Sequence, residues 1–199
     1  VDSALDGVLF IDEAYSLIQE GFSGGDAFGQ QAVDTLLARM ENDRDRLVVI
    51  IAGYEKEINQ LLAFNEGFES RFSRRIRFSS YTPDELGEIA KVIAEGRRST
   101  LSAAARDLIV AETRGMTIAA PSGNKVLDTA GNARFIRNVI EAAETARSAR
   151  LSGANLQALS DEELFCLLPE DVGPAMRRIV DPLIGRLNSA DALAATTES

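Results

Sequence analysis

The chain has 199 residues, of which 45% are apolar and 26% are charged, so it falls in the globular range and can hold one large or two small domains. Its formal charge of -10 argues against non-specific attraction to nucleic acid or to an anionic membrane, because both need clustered Lys and Arg. The sequence contains no histidine, which excludes His-based triads, His general bases and most zinc sites.

Cysteine usage and hydropathy bear on the compartment. The single cysteine, Cys166, excludes an internal disulfide framework and fits a reducing compartment, and no apolar run is long enough to span a bilayer. We therefore predict a cytoplasmic protein without membrane insertion. The chain begins at Val1 without an initiator Met or a signal-peptide pattern and enters a strand within a few residues, which indicates a fragment.

The first third of the chain has the pattern of a βαβ crossover. Two apolar runs, residues 8–11 and 47–53, are typical of strands covered on both faces. The segment between them places apolar residues on one helical face, at Val33, Leu36, Leu37 and Met40. This order predicts two parallel strands joined by a helix. A third short strand is predicted at residues 74–80.

From residue 81 onward the pattern is helical throughout. Thr82, with Pro83 next and Glu85 three residues on, is the signature of a capped helix start. Apolar residues at helical spacing predict two further helices, at about residues 101–115 and 133–150.

The end of the chain combines helical periodicity with residues that interrupt it. A last helical region at residues 160–187 contains three prolines, which are predicted to break it. The Ala/Thr/Ser-rich end after Asn188 is predicted to be disordered.

The first strand ends in two adjacent carboxylates, Asp12 and Glu13. The carboxyl end of a buried parallel strand opens onto the ligand crevice of an α/β fold, although a strand that ends in a solvated turn is the simpler alternative. Magnesium-dependent nucleotide hydrolysis needs one carboxylate that holds the hydrated metal and a second group that orients or deprotonates the attacking water. An apolar strand that ends in Asp-Glu supplies both groups.

This strand resembles the Walker B motif, hhhhDE, of the AAA+ ATPases. The resemblance implies ATP and Mg²⁺ as cofactors, with Asp12 bound to the metal through water and Glu13 as the residue that polarises the attacking water. The next strand, LVVIIAGY, would carry the polar sensor 1 residue of the family, and that position falls at Tyr54. Many members have Asn, Ser or Thr there, so a plain aromatic residue at the end of a strand is the alternative.

The segment NEGFESRFSRRIRF, residues 65–78, is similar to the part of the family that carries the arginine finger. A planar, permanently charged guanidinium inserted from a neighbouring subunit stabilises charge on the transferring phosphoryl group. Arg71 is the predicted finger. Arg74 and Arg75 follow closely, and a solvated basic cluster is the alternative.

The segment GNARFIRNVIEAA begins a helix, with Asn132 near the cap and Arg134 in the first turn. A cation at a helix N-terminus is locally unfavourable because of the macrodipole, so an arginine there needs a compensating reason. The resemblance provides one, since a sensor 2 arginine of the AAA+ lid reaches the γ-phosphate from this kind of position. Arg137 is the second candidate, and a surface ion pair of Arg134 with Glu141 or Glu144 is the alternative.

Over residues 7–150 the sequence resembles the AAA+ group that includes CbbX, SpoVK and the EccA ATPases of type VII (ESX) secretion, and it is most like EccA. The resemblance implies an α/β fold, with the C-terminal part of a parallel-sheet AAA+ nucleotide-binding core at residues 1–80 and an all-helical lid at 81–187. The remainder, 188–199, is the predicted disordered tail. It also implies a homo-oligomer, specifically a hexamer, that hydrolyses ATP to remodel or translocate a protein partner, with secretion substrates among the candidates.

Two features leave the function open. The sequence contains no P-loop of the form GxxxxGK[ST], so residues 1–199 alone are predicted to be inactive. Residues 20–29 correspond either to a second Gly-rich loop near the pore or to a flexible connector. A non-catalytic AAA+-like assembly module and a CbbX-like rubisco activase are the alternative functions.

Overall fold

A computed structural model describes residues 1–18, 26–118 and 125–197. The chain divides into two compact units, Val1–Arg77 and Phe78–Ser199. The division falls within the segment where the sequence predicts the change from an α/β to a helical pattern.

The first unit contains the predicted βαβ crossover. Strand β1 (Gly7–Ile11) and strand β2 (Leu47–Ile51) are parallel and in register, and helix α1 (Asp26–Asn42) connects them. Two shorter helices follow, α2 (Glu55–Phe64) and α3 (Glu66–Arg71).

One face of the two-stranded sheet packs on the helices and the other is exposed. The core of the unit combines side chains of α1, α2 and α3 with the packed face of the sheet, and its buried members are Ala14, Val33, Leu36, Leu61, Leu62 and Phe68. On the opposite face, the paired residues Val8 and Val48, and Phe10 and Ile50, are 45–59% exposed. Within the described residues, therefore, the strands are covered on one face and not on both as their continuous apolar runs predict.

The predicted third strand at residues 74–80 is not formed. Residues 73–82 have neither helix nor strand structure, although Ile76 and Phe78 alternate with charged or polar residues as in a strand. A strand needs a neighbour with which to form ladder hydrogen bonds, and in the described part of the chain β1 and β2 pair only with each other. The side chains of Ile76 and Phe78 are consequently exposed.

The second unit is a helical bundle with one small strand pair. Its main helices are α4 (Pro83–Gly96), α5 (Ala103–Met116), α6 (Val126–Ala130), α7 (Ala133–Leu151), α8 (Asp161–Phe165) and α9 (Pro169–Thr197). Helix α4 begins with the predicted capping box of Thr82 and Glu85 and with Pro83 at its first turn. Strands β3 (Thr100–Leu101) and β4 (Cys166–Leu167) form a short parallel pair that the helical pattern of the sequence did not reveal.

Helix α9 continues through residues that were expected to interrupt it. Pro169 is its first residue, where proline is tolerated, whereas Pro174 and Pro182 lie inside it. Val172 and Met176 are buried in the core of the unit. The free energy gained by this burial offsets the loss of the backbone hydrogen bonds that the two inner prolines cannot donate. The backbone stays helical to Thr197, beyond residue 188 where we expected disorder, in keeping with the high helix propensity of alanine.

A buried ion pair joins α7 to the start of α9. The guanidinium of Arg150 donates to both carboxylate oxygens of Asp171, from Nε at 2.9 Å and from Nη2 at 2.8 Å. The amide of Leu168 also donates to Asp171 Oδ2 at 3.0 Å. Because Asp171 is only 1% exposed, these donors compensate a charge that is otherwise out of reach of water.

We expect Asp171→Ala to lower the free energy of unfolding of the helical unit by about 2 kcal/mol, since it leaves the Leu168 amide without its acceptor and removes the bidentate partner of Arg150. Arg150 then keeps only the exposed carboxylate of Glu170, at 3.2 Å. Urea unfolding followed by circular dichroism measures the change. Glu88→Ala, which removes an exposed partner of Arg106, is the matched control and should cost less than about 1 kcal/mol. Equal losses in the two variants would contradict the structural role of the Arg150–Asp171 pair.

Candidate functional site

The ends of the two parallel strands lie at one edge of the sheet of the first unit. Asp12 and Glu13 follow β1 directly, and residues 52–54 follow β2. Two backbone hydrogen bonds tie these ends together, from Ala52 N to Ile11 O at 2.9 Å and from Ala14 N to Ala52 O at 3.0 Å. The turn that carries both carboxylates is therefore fixed against the end of β2.

The backbone of Glu13 is in the left-handed region, with a φ of 48°. A residue with a Cβ adopts this conformation at a cost on the order of 1 kcal/mol, so the surrounding contacts have to maintain it. The Glu13 amide donates to Asp12 Oδ1 at 3.0 Å, and the Glu13 carbonyl accepts from Ser16 N at 2.9 Å. Strained residues of this kind are concentrated at functional sites.

The chemistry of the two carboxylates fits a hydrated magnesium ion. Asp12 and Glu13 are exposed at the edge of the sheet, next to a turn that has little freedom to move. The described residues contain no cluster of three or more acidic or Cys side chains that could hold a metal. Mg²⁺ commonly uses one or two carboxylates and takes its other ligands from water and substrate phosphate, so this edge can supply the protein's share.

Tyr54 lies at the same edge, at the position that precedes α2. Its side chain is 70% exposed, and its ring centroid is 6.5 Å from that of Tyr15, with the ring planes inclined by 37°. Tyr54 therefore lies beside Tyr15, two residues after Glu13, and its role as sensor stays a prediction.

Tyr15 is a residue that our interpretation of the sequence missed. Partial burial, followed by the charge of Glu13, raises the pKa of the Tyr15 hydroxyl above its ordinary value. Tyr15 thus lies within electrostatic reach of Glu13 as well as beside Tyr54. The only signal in the sequence was an aromatic residue two positions after the acid pair, facing a second aromatic at the end of the next strand.

Arg71 lies away from the acid pair of its own chain. It is the last residue of α3, and its Nη2 is 3.0 Å from Oε2 of Glu41, near the end of α1. Because α1 runs back from the carboxyl end of β1 to the amino end of β2, Glu41 lies towards the opposite edge of the sheet from Asp12. Both partners are partly exposed, so the pair is worth less than about 1 kcal/mol, and Arg71 can change partner at little cost.

The other arginines of this segment differ in their contacts. Arg75 donates to Asn59 Oδ1 at 3.1 Å, and Arg77 is 2.6 Å from Glu55 Oε1, so both are held by α2. Arg74 is exposed and makes no ion pair with the described residues.

Arg134, in the second unit, is the second residue of α7 and is exposed. The alternative ion pair with Glu141 or Glu144 is wrong, because Arg97 at the end of α4 binds both carboxylates, at 3.2 Å and 2.8 Å. Those glutamates lie two or more helical turns beyond Arg134, out of its reach along the helix. No ion pair of Arg134 is found in the described part of the chain.

The turn before α7 explains why its N-terminus is not capped. Asn132 has a φ of 52°, and its side chain accepts from Tyr81 N at 3.2 Å and donates to Asp128 at 3.3 Å. Since the Asn132 side chain is used in this way, it makes no capping hydrogen bond to α7. The first turn of α7 therefore combines amide groups without a side-chain cap and the positive charge of Arg134, an arrangement that favours an anion.

The remaining predicted feature, the Gly-rich segment at residues 20–29, lies outside the described residues as far as residue 25, and its last four residues begin α1. Where the structure describes the chain, none of its helices combines the length and the apolar character that a membrane span requires.

Comparison with known proteins gives two adjoining family matches. Residues 2–80 match the ATPase family associated with various cellular activities (AAA), and residues 82–181 match the AAA lid domain.

Several curated relatives are identical to this chain at about half of the aligned positions. The chain is 50% identical over 180 residues to the ESX-1 secretion system protein EccA1 of Mycobacterium leprae, an alignment that covers 90% of this chain and 31% of that protein. It is also 50% identical over 192 residues to the ESX-3 secretion system protein EccA3 of the same organism, with 92% and 29% covered. The chain thus spans about a third of the length of these relatives.

A solved structure described as the crystal structure of the FIGL-1 AAA domain is similar in fold. Its TM-score is 0.57 at 18% sequence identity, and the alignment covers 94% of this chain and 57% of that one. At this identity the similarity concerns the fold alone.

Proposed function

The chain belongs to the AAA ATPase family, with an AAA lid domain after the core, and we propose that the turn after β1 supplies the hydrolytic acids of an ATPase. Asp12 holds hydrated Mg²⁺ through water, and Glu13 orients the attacking water and takes its proton. Bound magnesium-ATP supplies the phosphoryl group and a metal that neutralises its charge. The observation that carries this proposal is that both carboxylates are exposed on a turn fixed to the end of β2.

Tyr54 is proposed as the sensor 1 residue. Its exposed side chain lies at the end of β2, beside the acid turn, where a hydroxyl can donate a hydrogen bond to water or to a phosphate oxygen. A plain aromatic residue with a packing role would be expected to be more buried.

Arg71 is proposed as an arginine finger that acts on the nucleotide of a neighbouring subunit. Its position at the end of α3, towards the opposite edge of the sheet from Asp12, supports a role in trans. Its weak ion pair with Glu41 keeps the guanidinium in place until an anion of higher charge replaces that carboxylate. A closed homo-oligomer, which we propose to be a hexamer, would repeat this contact at every interface.

Arg134 is proposed as the sensor 2 residue of the lid, with Arg137 one turn later as the second candidate. The support is that Arg134 is exposed, without an ion pair in the described residues, on a helix start that lacks a side-chain cap. The Arg134 amide already donates to Gly131 O at 2.9 Å, so a phosphate would pair chiefly with the Arg134 guanidinium, and the positive end of the α7 dipole would favour it further.

We further propose that the whole protein works in the cytoplasm and couples ATP hydrolysis to the remodelling or translocation of a protein partner in type VII secretion. The similarity to EccA1 and EccA3, each at about half identity, favours this role over rubisco activation. The retained acid pair favours an enzyme over a non-catalytic assembly module.

The isolated 199-residue chain is expected to show negligible ATP turnover, because its sequence offers no P-loop to bind the phosphates. Isothermal titration calorimetry with magnesium-ATP should give a Kd no lower than about 1 mM, which corresponds to a binding free energy of about -4 kcal/mol. Micromolar affinity would contradict this expectation.

In the whole protein, Glu13→Gln should keep nucleotide binding and oligomer formation and lower kcat by about 10²-fold or more, because the amide keeps the shape but cannot accept the proton. Glu112→Gln, at an exposed glutamate on α5, is the matched control and should leave kcat unchanged. Steady-state phosphate release measures both variants. If Glu13→Gln retained activity within about twofold of the native protein, Glu13 would not be the base.

Subunit mixing distinguishes the two arginines. A mixture of Arg71→Ala and Glu13→Gln subunits should recover part of the activity, because the intact Glu13 of one subunit can meet the intact Arg71 of the other. A mixture of Arg134→Ala and Glu13→Gln subunits should recover no activity. Both residues serve the nucleotide of their own chain, so every site in the mixture lacks one of them. If both mixtures recovered activity equally, or neither recovered any, the assignment of Arg71 to the neighbouring subunit's nucleotide and of Arg134 to its own would be wrong.

A further inference from the structure

We propose that Tyr15 is a positioning residue for Glu13, and that its ring, held against Gly53 and beside Tyr54, keeps the acid turn in the left-handed conformation that directs Glu13. This inference rests on the proposed function of Glu13 as the base. It adds a residue outside the acid pair to the machinery of hydrolysis.

The acid turn needs such support because its hydrogen bonds involve backbone groups and the Asp12 carboxylate. None of the hydrogen bonds found in the described residues holds the Glu13 carboxylate itself. Ala14 is buried and its amide is bonded to Ala52, so the chain after Glu13 is fixed. The left-handed φ of Glu13 lies just before this fixed point. Tyr15 is the next side chain after Ala14, so its ring contacts act together with the Ala14–Ala52 hydrogen bond to hold the C-terminal side of the turn.

The environment of the Tyr15 ring is closely packed on one side. A Cβ placed on Gly53 would lie 3.0 Å from Tyr15 Cδ1 and 3.1 Å from Ile58 Cδ1, which is closer than normal carbon contacts. Glycine at position 53 therefore leaves the space that the ring occupies. The ring is held against the backbone that follows β2 and is not a free surface side chain.

The ring also pairs with that of Tyr54, at a centroid distance of 6.5 Å and an inclination of 37°, within the range of aromatic pairs. Tyr15 thus contacts the end of β2 at two consecutive residues while its own backbone continues from the acid turn. This arrangement connects the proposed sensor position with the proposed base, and it makes the ring, more than the hydroxyl, the part that positions Glu13.

A double-mutant cycle in the whole protein tests the inference. Tyr15→Ala should lower kcat by about 10- to 100-fold with little change in KM, because displacement of a reacting group by about 1 Å has effects of this size. In the Glu13→Gln background the same change should cost less than about twofold, since the group that Tyr15 positions has already lost its function. Tyr15→Phe, which keeps the ring, should stay within about twofold of the native kcat.

Phe64→Ala, at an exposed aromatic residue at the end of α2, is the matched control and should leave kcat unchanged in both backgrounds. If Tyr15→Ala prevents assembly, Tyr15→Leu takes its place in the same cycle. An equal loss of kcat with and without Glu13→Gln would show a general structural role and overturn the inference. A Glu13→Gln variant that is itself fully active would instead refute the proposed function.

Discussion

The parallel pairing of β1 and β2 is the constraint on which the candidate site depends. Because the strands run in the same direction, in register from Gly7 and Leu47, the residues that follow them meet at one edge. The acid turn would have no fixed position without the end of β2, since its backbone bonds are made to Ala52. Hydrophobic packing of α1 on one face of the sheet keeps this pairing in place, and the geometry of the acids follows from it.

The same crossover separates the predicted finger from the acids. Helix α1 carries the chain to the opposite edge, so Arg71, paired with Glu41, lies towards the other edge of the sheet from Asp12. This separation supports the proposed role of Arg71 in trans, in which a closed oligomer would complete each site with a residue of the next subunit. In the second unit, the Asn132 side chain bonds to Tyr81 N and Asp128, so it does not cap the start of α7, where the proposed sensor 2 residue Arg134 lies.

Much of the architecture could be predicted from the sequence because it depends on local patterns. Apolar periodicity gave β1, α1 and β2, and the Thr82–Glu85 capping box gave the start of α4. Features that depend on distant contacts were not predictable. Among the described residues, the segment around Ile76 forms no strand because it has no neighbouring strand to pair with. Pro174 and Pro182 lie inside a helix that packs on the core of its unit. Arg97 forms the ion pairs with Glu141 and Glu144 that sequence spacing had suggested for Arg134. The position of Tyr15 likewise depends on Gly53, which follows β2 and lies 38 residues later in the chain.

The central claim is that the edge after β1 and β2 is the hydrolytic edge and that Arg71 completes it in trans. An electron cryomicroscopy structure of the assembled whole protein with Mg²⁺ and a non-hydrolysable ATP analogue tests it most directly. We expect Asp12 in the water shell of the metal, Glu13 facing the γ-phosphate, and Arg71 of the adjacent subunit released from Glu41 and bound to that phosphate. A structure in which every Arg71 stays on its own Glu41 and the nucleotide lies away from Asp12 would contradict the account.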